Sequence, residues 1–152
     1  MVYPPETVWA IGCKSTIEKS VEKIYKIKKR PKTSPFINII DNYINISKYV
    51  NKIDLQTIKI ASKINNSPTV IYPNCKEKFN YLSNSQNEIA FRVSPENQIN
   101  KIIKELNAPI ISTSANISGE DFPTSMNNIS PLILNAVDVI LNFEIESSGK
   151  PS

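Results

Sequence analysis

Apolar residues along this chain recur at two spacings, and each spacing predicts a different kind of element. Between residues 15 and 30 they return every three or four positions, as on one side of an amphipathic helix. The residues concerned are Ile17, Val21, Ile24 and Tyr25. Ser15 and Glu18 have the spacing of a capping box, and Pro31 disfavours helical geometry in the residue before it. The pattern therefore predicts a helix over residues 15–30.

Other segments follow the same two patterns. Helices are predicted at 44–50, 55–64, 97–106 and 131–137. Strands are predicted at 2–3, 8–13, 36–40, 69–72, 88–93 and 138–143, and within 108–119 before a turn at Gly119. Because strands alternate with helices, we predict an α/β layered fold of the α+β type, in one domain over 1–152. The strands near 69–93 follow each other with only loop between them, which predicts a mixed sheet.

Composition is that of an ordinary globular protein, with 40% hydrophobic and 21% charged residues. The net charge of +4 is compatible with an anionic ligand or with nucleic acid. The sequence has no run of 18 apolar residues and no secretory signal pattern, so no membrane association is expected. Cys13 and Cys75 form no CxxC pair, which favours a reduced, cytoplasmic protein with structural thiols.

Histidine is absent from the sequence. Its absence excludes Ser-His and Cys-His nucleophile pairs and zinc sites built on imidazole. If the protein is an enzyme, its chemistry works without imidazole, and we predict no metal site made by the protein.

Five cations crowd the end of the first predicted helix: Lys26, Lys28, Lys29, Arg30 and Lys32. One interpretation is that they only complement the helix dipole. The other is that they bind an anion. Pro31 forces the chain out of the helix at Arg30, so Lys28 and Arg30 could converge across the helix end. An arginine fork there suits phosphate or carboxylate.

A second candidate stretch, IISTSANISG at 110–119, places hydroxyls at the end of a strand. Alternation puts Ser112 and Ser114 on one side of that strand. With Asn116 they would form a neutral hydrogen-bonding cradle, although serine and asparagine also favour ordinary turns.

In the strand at 88–93, alternation turns Arg92 away from the core, either to solvent or to a site.

Six motifs in this order resemble the YrdC-like threonylcarbamoyl-AMP synthase family. Residues 3–13, YPPETVWAIGC, resemble the family's opening pattern Y-P-T-[ED]-T-x-[YW]-G-[LI]-G-C. KKRP at 28–31 and SPTVIY at 67–72 follow. FRV at 91–93, SANISG at 114–119 and KPS at 150–152 complete the set, so that the resemblance covers essentially the whole chain.

This resemblance implies an open, twisted, mixed β-sheet with flanking helices, the YrdC-like fold, whose concave face holds ATP and threonine. The implied enzyme is an L-threonylcarbamoyladenylate synthase, a nucleotidyltransferase that joins L-threonine, bicarbonate and ATP and releases pyrophosphate. Mg²⁺ would accompany ATP, and a separate transferase would pass the threonylcarbamoyl group to tRNA. The reaction needs positioning and charge rather than a protein nucleophile, in agreement with the missing histidine.

The family's roles, carried over onto matching positions, assign two sets of residues. Threonine would contact Thr7, Arg92, Ser112 and Ser152. ATP would contact Lys28, Arg30, Ser34, Ser114 and Asn116. Of these, Lys28 and Arg30 are the expected catalytic residues, because their charges would stabilise the reacting phosphates.

The family pattern also includes a helix before the first strand and, after the P-S motif, a strand and an ATP-contacting arginine. We therefore expect reduced activity from the chain as given. Two other interpretations stay open. A non-catalytic or degenerate RNA-binding module of the same fold would use a basic concave face to bind tRNA weakly. A carbamoyl-transfer domain of hydrogenase maturation would normally lie inside a much longer chain.

Overall fold

Six strands form one open sheet in the computed structural model of the chain, which describes residues 1–4, 8–64 and 67–142. The strands are β1 (Val2–Tyr3), β2 (Ala10–Lys14), β3 (Ile37–Ile40), β4 (Thr69–Tyr72), β5 (Ile89–Val93) and β6 (Ile110–Ser114). Their order across the sheet is β1-β2-β6-β3-β5-β4. β3 and β5 run parallel, and the other neighbours are antiparallel. The predicted mixed sheet and α+β class are confirmed.

Helices flank this sheet. They are α1 (Glu18–Lys28), α2 (Leu55–Ala61), α3 (Gln98–Leu106) and α4 (Pro131–Ala136), with short 3₁₀ helices at Ile44–Lys48, Glu77–Leu82 and Met126–Asn128. Three of them have side-chain caps: Asp54 accepts from the start of α2, Asn97 from the start of α3, and Ser130 from the start of α4.

The two faces of the sheet are covered unequally. On one face, the core face, strand side chains such as Ile11, Phe91 and Ile111 pack with Ile24 of α1 and Ile133 of α4. These five side chains are almost completely buried, so this layer supplies most of the hydrophobic stabilisation. The rings of Tyr49 and Tyr72 lie 5.6 and 6.2 Å from that of Phe91 and extend the same layer.

The opposite face, the open face, has a smaller apolar cluster. Ile99 and Ile103 of α3 pack there with Ile110 of β6 and with Tyr3 and Ala10. The helix covers the end of the face where Ile110 lies. The rest carries exposed side chains, including Ile37 and Ile71, which are 37% and 62% exposed.

The predicted start of the first helix is wrong. α1 begins at Glu18 after Ile17, and no side chain caps it. Ser15 is instead buried, where its N–H donates to the carbonyl of Pro109 and its own carbonyl accepts from Tyr81 Oη. Tertiary contacts hold the backbone of Ser15 in place and prevent the local capping box from forming.

Three further predictions need correction. The helix predicted at 44–50 is a 3₁₀ helix, Ile44–Lys48, and a second 3₁₀ helix lies between β4 and β5, where only loop was expected. The strand predicted at 138–143 is, over its described residues, a single parallel bridge between Val2 and Ile140. β1 has only two residues, so the segment at 138–142 can pair with it over no more than that length.

Candidate functional site

The uncovered part of the open face carries the polar residues that the sequence singled out. Ser112 pairs with Gly12 on one side and Ile37 on the other, and Ser114 pairs with Ala10. Paired residues and alternate residues of a strand share a face. Ser112 and Ser114 therefore point to the same face, as predicted.

Arg92 lies on this same face. It pairs with Ile39 of β3 and with Thr69 of β4, while Phe91 beside it is buried on the core face. Two strand spacings, about 10 Å, separate β5 from β6, a gap of the width that a small ligand spans. The prediction that Arg92 turns away from the core is confirmed, and its contact with a ligand stays a prediction.

Lys28 ends α1 in a buried environment close to the hydroxyl pair. It is 2% exposed, and its Nζ donates to the carbonyls of Ser114 and Asn116, at 2.6 and 2.7 Å. A third bond, of 3.3 Å, goes to Asn116 Oδ1. Burial, and after it the nearby charge of Arg30, lowers the pKa of Lys28 from 10.5 to about 8. The charge of Arg30 thus acts on Lys28, and the convergence of the two cations on an anion stays a prediction.

The left-handed residue Lys29 (φ 51°) ends α1 and turns the chain toward Arg30. The guanidinium of Arg30 is fixed on one side: its Nε donates to the carbonyl of Ser34 at 2.8 Å and an Nη to that of Pro35 at 3.3 Å. It also lies 5.0 Å from the ring centre of Phe36. Since arginine has five N–H donors, this fixed group keeps others for an anion.

The SANISG turn links the cations to the serines. Asn116 is buried, its Oδ1 accepts from Ser114 Oγ, and its Nδ2 donates to the carbonyl of Glu120 at 2.6 Å. The carbonyl of Lys28 accepts from the N–H of Ser118 at 2.9 Å. Gly119 has φ +92°, a conformation that suits glycine. These bonds fix the end of β6 against the end of α1.

Not every predicted site residue takes part in this arrangement. Ser34 contributes a carbonyl to Arg30, and its side chain is half-buried. Thr7 and Ser152, predicted to contact threonine, lie outside the described residues.

Sequence reasoning missed Tyr3 and Gly12, which lie beside Ser112. The Tyr3 hydroxyl donates to Ser112 Oγ. A Cβ added to Gly12 would lie 2.3 Å from the carbonyl oxygen of Ile111 and 3.4 Å from Tyr3 Cε1. Nothing in the local pattern points to this contact, because the residues are on three different strands.

In the described part of the chain, no group of three or more His, Cys, Asp or Glu side chains is placed to hold a metal ion. The described residues therefore do not by themselves fit a protein-made Mg²⁺ site.

The thiols of Cys13 and Cys75 are free, and burial raises the pKa of each. The helices at 18–28, 55–61, 98–106 and 131–136 are all too short to cross a membrane.

Comparison with known families gives a match over the whole length. The family model Sua5_yciO_yrdC, described as "Telomere recombination", matches residues 1–152. The chain belongs to this family.

Relatives of the chain are found by sequence, and two solved structures share its fold. A threonylcarbamoyl-AMP synthase of Pseudoalteromonas translucida is 28% identical over all of this chain and 83% of its own length. The structure of P. abyssi Sua5 with L-threonine is 27% identical, with a TM-score of 0.77 over 91% of this chain. This chain spans 41% of that longer protein. E. coli YciO is 26% identical, with a TM-score of 0.63 over 82% of this chain and 61% of its own.

Proposed function

We propose that the protein is an L-threonylcarbamoyladenylate synthase. The amino group of L-threonine and bicarbonate form a carbamate with loss of water, and an oxygen of this carbamate group, not of the amino-acid carboxylate, attacks the α-phosphorus of ATP. The new O–P bond replaces the bond to the β-phosphate, and pyrophosphate leaves. The product, threonylcarbamoyl-AMP, is the substrate of a separate transferase that modifies tRNA. The main support is Lys28, whose Nζ contacts the end of β6 beside hydroxyls that share a face with Arg92, with the charge of Arg30 acting on it.

The two cations serve the nucleotide. ATP brings several negative charges, and both the attacked α-phosphorus and the leaving oxygen belong to its triphosphate. Arg30 offers a fork that is already fixed by two backbone carbonyls, so little side-chain entropy is lost when it binds an oxyanion. Lys28 contributes a second charge and holds Ser114 and Asn116 in place. Ser34, Ser114 and Asn116 complete the proposed nucleotide contacts.

The open face serves the amino acid. Arg92 takes the threonine carboxylate in a charge-assisted bond, and Ser112 provides a hydroxyl across the gap between β5 and β6. Thr7 and Ser152 are the proposed further contacts. Ile37 and Ile71 give the same surface exposed apolar positions, which suit the methyl group of threonine or the adenine ring.

Mg²⁺ enters this proposal only as the companion of the ATP phosphates. It neutralises phosphate charge in such reactions, and the phosphate oxygens themselves are suitable ligands for it. The protein's own contribution is to orient the two substrates and to stabilise the phosphates with Lys28 and Arg30.

The test is pyrophosphate release in the presence of ATP and bicarbonate, with and without L-threonine, together with mass spectrometry of the adenylate. We expect release that requires all three substrates. Arg92→Ala should lower threonine-dependent release and raise the threonine concentration that it requires, whereas Lys101→Ala, which removes an exposed cation on α3, should leave release unchanged. Release that ignores threonine would contradict the assignment.

The same protein samples can test the RNA-binding alternative. Thermal unfolding is measured with ATP plus threonine and, separately, with tRNA. The synthase proposal predicts the larger stabilisation by the small ligands. Stabilisation by tRNA alone would favour the RNA-binding module.

A further inference from the structure

The hydroxyl of Tyr3 reaches Ser112 across an intervening strand. Tyr3 is on β1 and Ser112 on β6, with β2 between them. Tyr3 is 2% exposed, and its Oη is bonded to Ser112 Oγ. The ring packs in the apolar cluster under α3, a role that phenylalanine would fill equally well. Among the described residues, the hydroxyl oxygen of Tyr3 adds one contact, with the side chain of Ser112 on the open face.

Gly12 lies beside this contact. It pairs directly with Ser112, on the strand between Tyr3 and Ser112. A Cβ there would be in van der Waals contact with Tyr3 Cε1, at 3.4 Å, and far too close to the carbonyl oxygen of Ile111, at 2.3 Å. The missing side chain lets the Ile111 carbonyl of β6 approach β2 closely, beside the Tyr3 ring whose hydroxyl reaches Ser112.

The direction of the bond follows from the chemistry of the two hydroxyls. A phenol is more acidic than an aliphatic alcohol, so Tyr3 donates and Ser112 accepts. Burial raises the pKa of Tyr3 to about 12, which keeps its proton in place at neutral pH. Ser112 then keeps its own hydrogen for a partner on the open face. Ser114 differs, because it gives its hydrogen to Asn116 Oδ1.

We propose that Tyr3 is a positioning residue that holds Ser112 as a hydrogen-bond donor toward the carboxylate of the amino-acid substrate. This inference rests on the proposed function. An ionised carboxylate only accepts hydrogen bonds, so it matches a hydroxyl whose hydrogen is available, and Arg92 adds positive charge on the same face. Because the hydroxyl of Ser112 is already oriented and polarised by Tyr3, it donates more strongly than a freely rotating serine.

The experiment measures binding of L-threonine and of threoninol, which lacks the carboxylate, by calorimetry. Tyr3→Phe removes one oxygen and no apolar atom. It should weaken threonine binding about threefold to tenfold, the range expected for one neutral hydrogen bond, and change threoninol binding much less. In a Ser112→Ala background, Tyr3→Phe should have no further effect on threonine. Thermal unfolding of each variant checks that it is folded.

Tyr72→Phe is the matched control. Tyr72 is also a buried tyrosine, on β4, and its hydroxyl has no hydrogen-bond partner among the described residues. Its removal should leave both affinities unchanged. The inference would be overturned if Tyr3→Phe weakened threonine and threoninol binding equally. It would also be overturned if Tyr3→Phe weakened threonine binding as much in the Ser112→Ala background as in the wild type. Either result would leave the proposed function intact. A wild-type protein that binds no threonine would overturn both.

Discussion

Lys28 offers a test of how far burial disfavours a charge at this site. Its pKa is lowered from 10.5 to about 8, first by burial and then by Arg30. Below pH 8 both the folded and the unfolded chain carry the charge, and the folded state bears the full cost of burying it. Between about pH 8 and 10.5 the folded chain releases the proton first, so the unfolded chain binds more protons. Stability from this group must therefore rise with pH in that window.

The magnitude follows from the two pKa values. Between about pH 7.5 and 9.5, linkage gives a gain of about 2 kcal/mol in the free energy of unfolding of the wild type relative to Lys28→Met. Urea titrations of both proteins at four pH values measure this difference, and other titrating groups cancel in the subtraction. The same subtraction with Lys26→Met, an exposed lysine of the same helix, corrects for charge at the helix end.

A difference that stays flat with pH would refute this reasoning. It would mean that the three oxygens of Ser114 and Asn116 compensate the ammonium fully for its lost hydration. A difference that falls with pH would mean that they more than compensate it. If Lys28 also faces the phosphates, ATP affinity should decline over the same interval in the wild type but not in Lys28→Met.

Three further predictions concern single side chains. Arg92→Ala should weaken threonine binding about tenfold or more, the loss expected for a charged hydrogen bond, and should weaken ATP binding much less. Calorimetry with each ligand measures both affinities. An unchanged threonine affinity would mean that Arg92 does not bind threonine. Arg30→Lys should lower ATP affinity despite the conserved charge, because lysine cannot reproduce the fork or the contact with Phe36. Equal ATP affinity by calorimetry would assign Arg30 to the surface. Gly12→Ala should destabilise the fold by about 1–3 kcal/mol, since its Cβ would clash with the backbone oxygen of Ile111. Urea denaturation measures this, and an unfolding midpoint equal to that of the wild type would contradict the expected clash.

Local patterns predicted those features of the protein that depend on neighbouring residues. Helical spacing predicted α3, and strand alternation placed Arg92 opposite Phe91 and put Ser112 and Ser114 on one face. These predictions succeed because the side-chain periods of helix and strand are fixed by backbone geometry. The motif resemblance added the family, which the whole-length match then showed.

The sequence could not show which distant residues would meet. Lys28 contacts oxygens 86 and 88 positions away, and Tyr3 reaches a serine 109 positions away. The capping box at Ser15 was predicted wrongly for the same reason, since Pro109 and Tyr81 take its backbone groups. Periodicity determines which side of an element a residue faces. The strand order, and with it the neighbours of Lys28 and Ser112, is decided only when the sheet pairs its strands and buries one face, because those contacts gain their free energy from packing between remote segments.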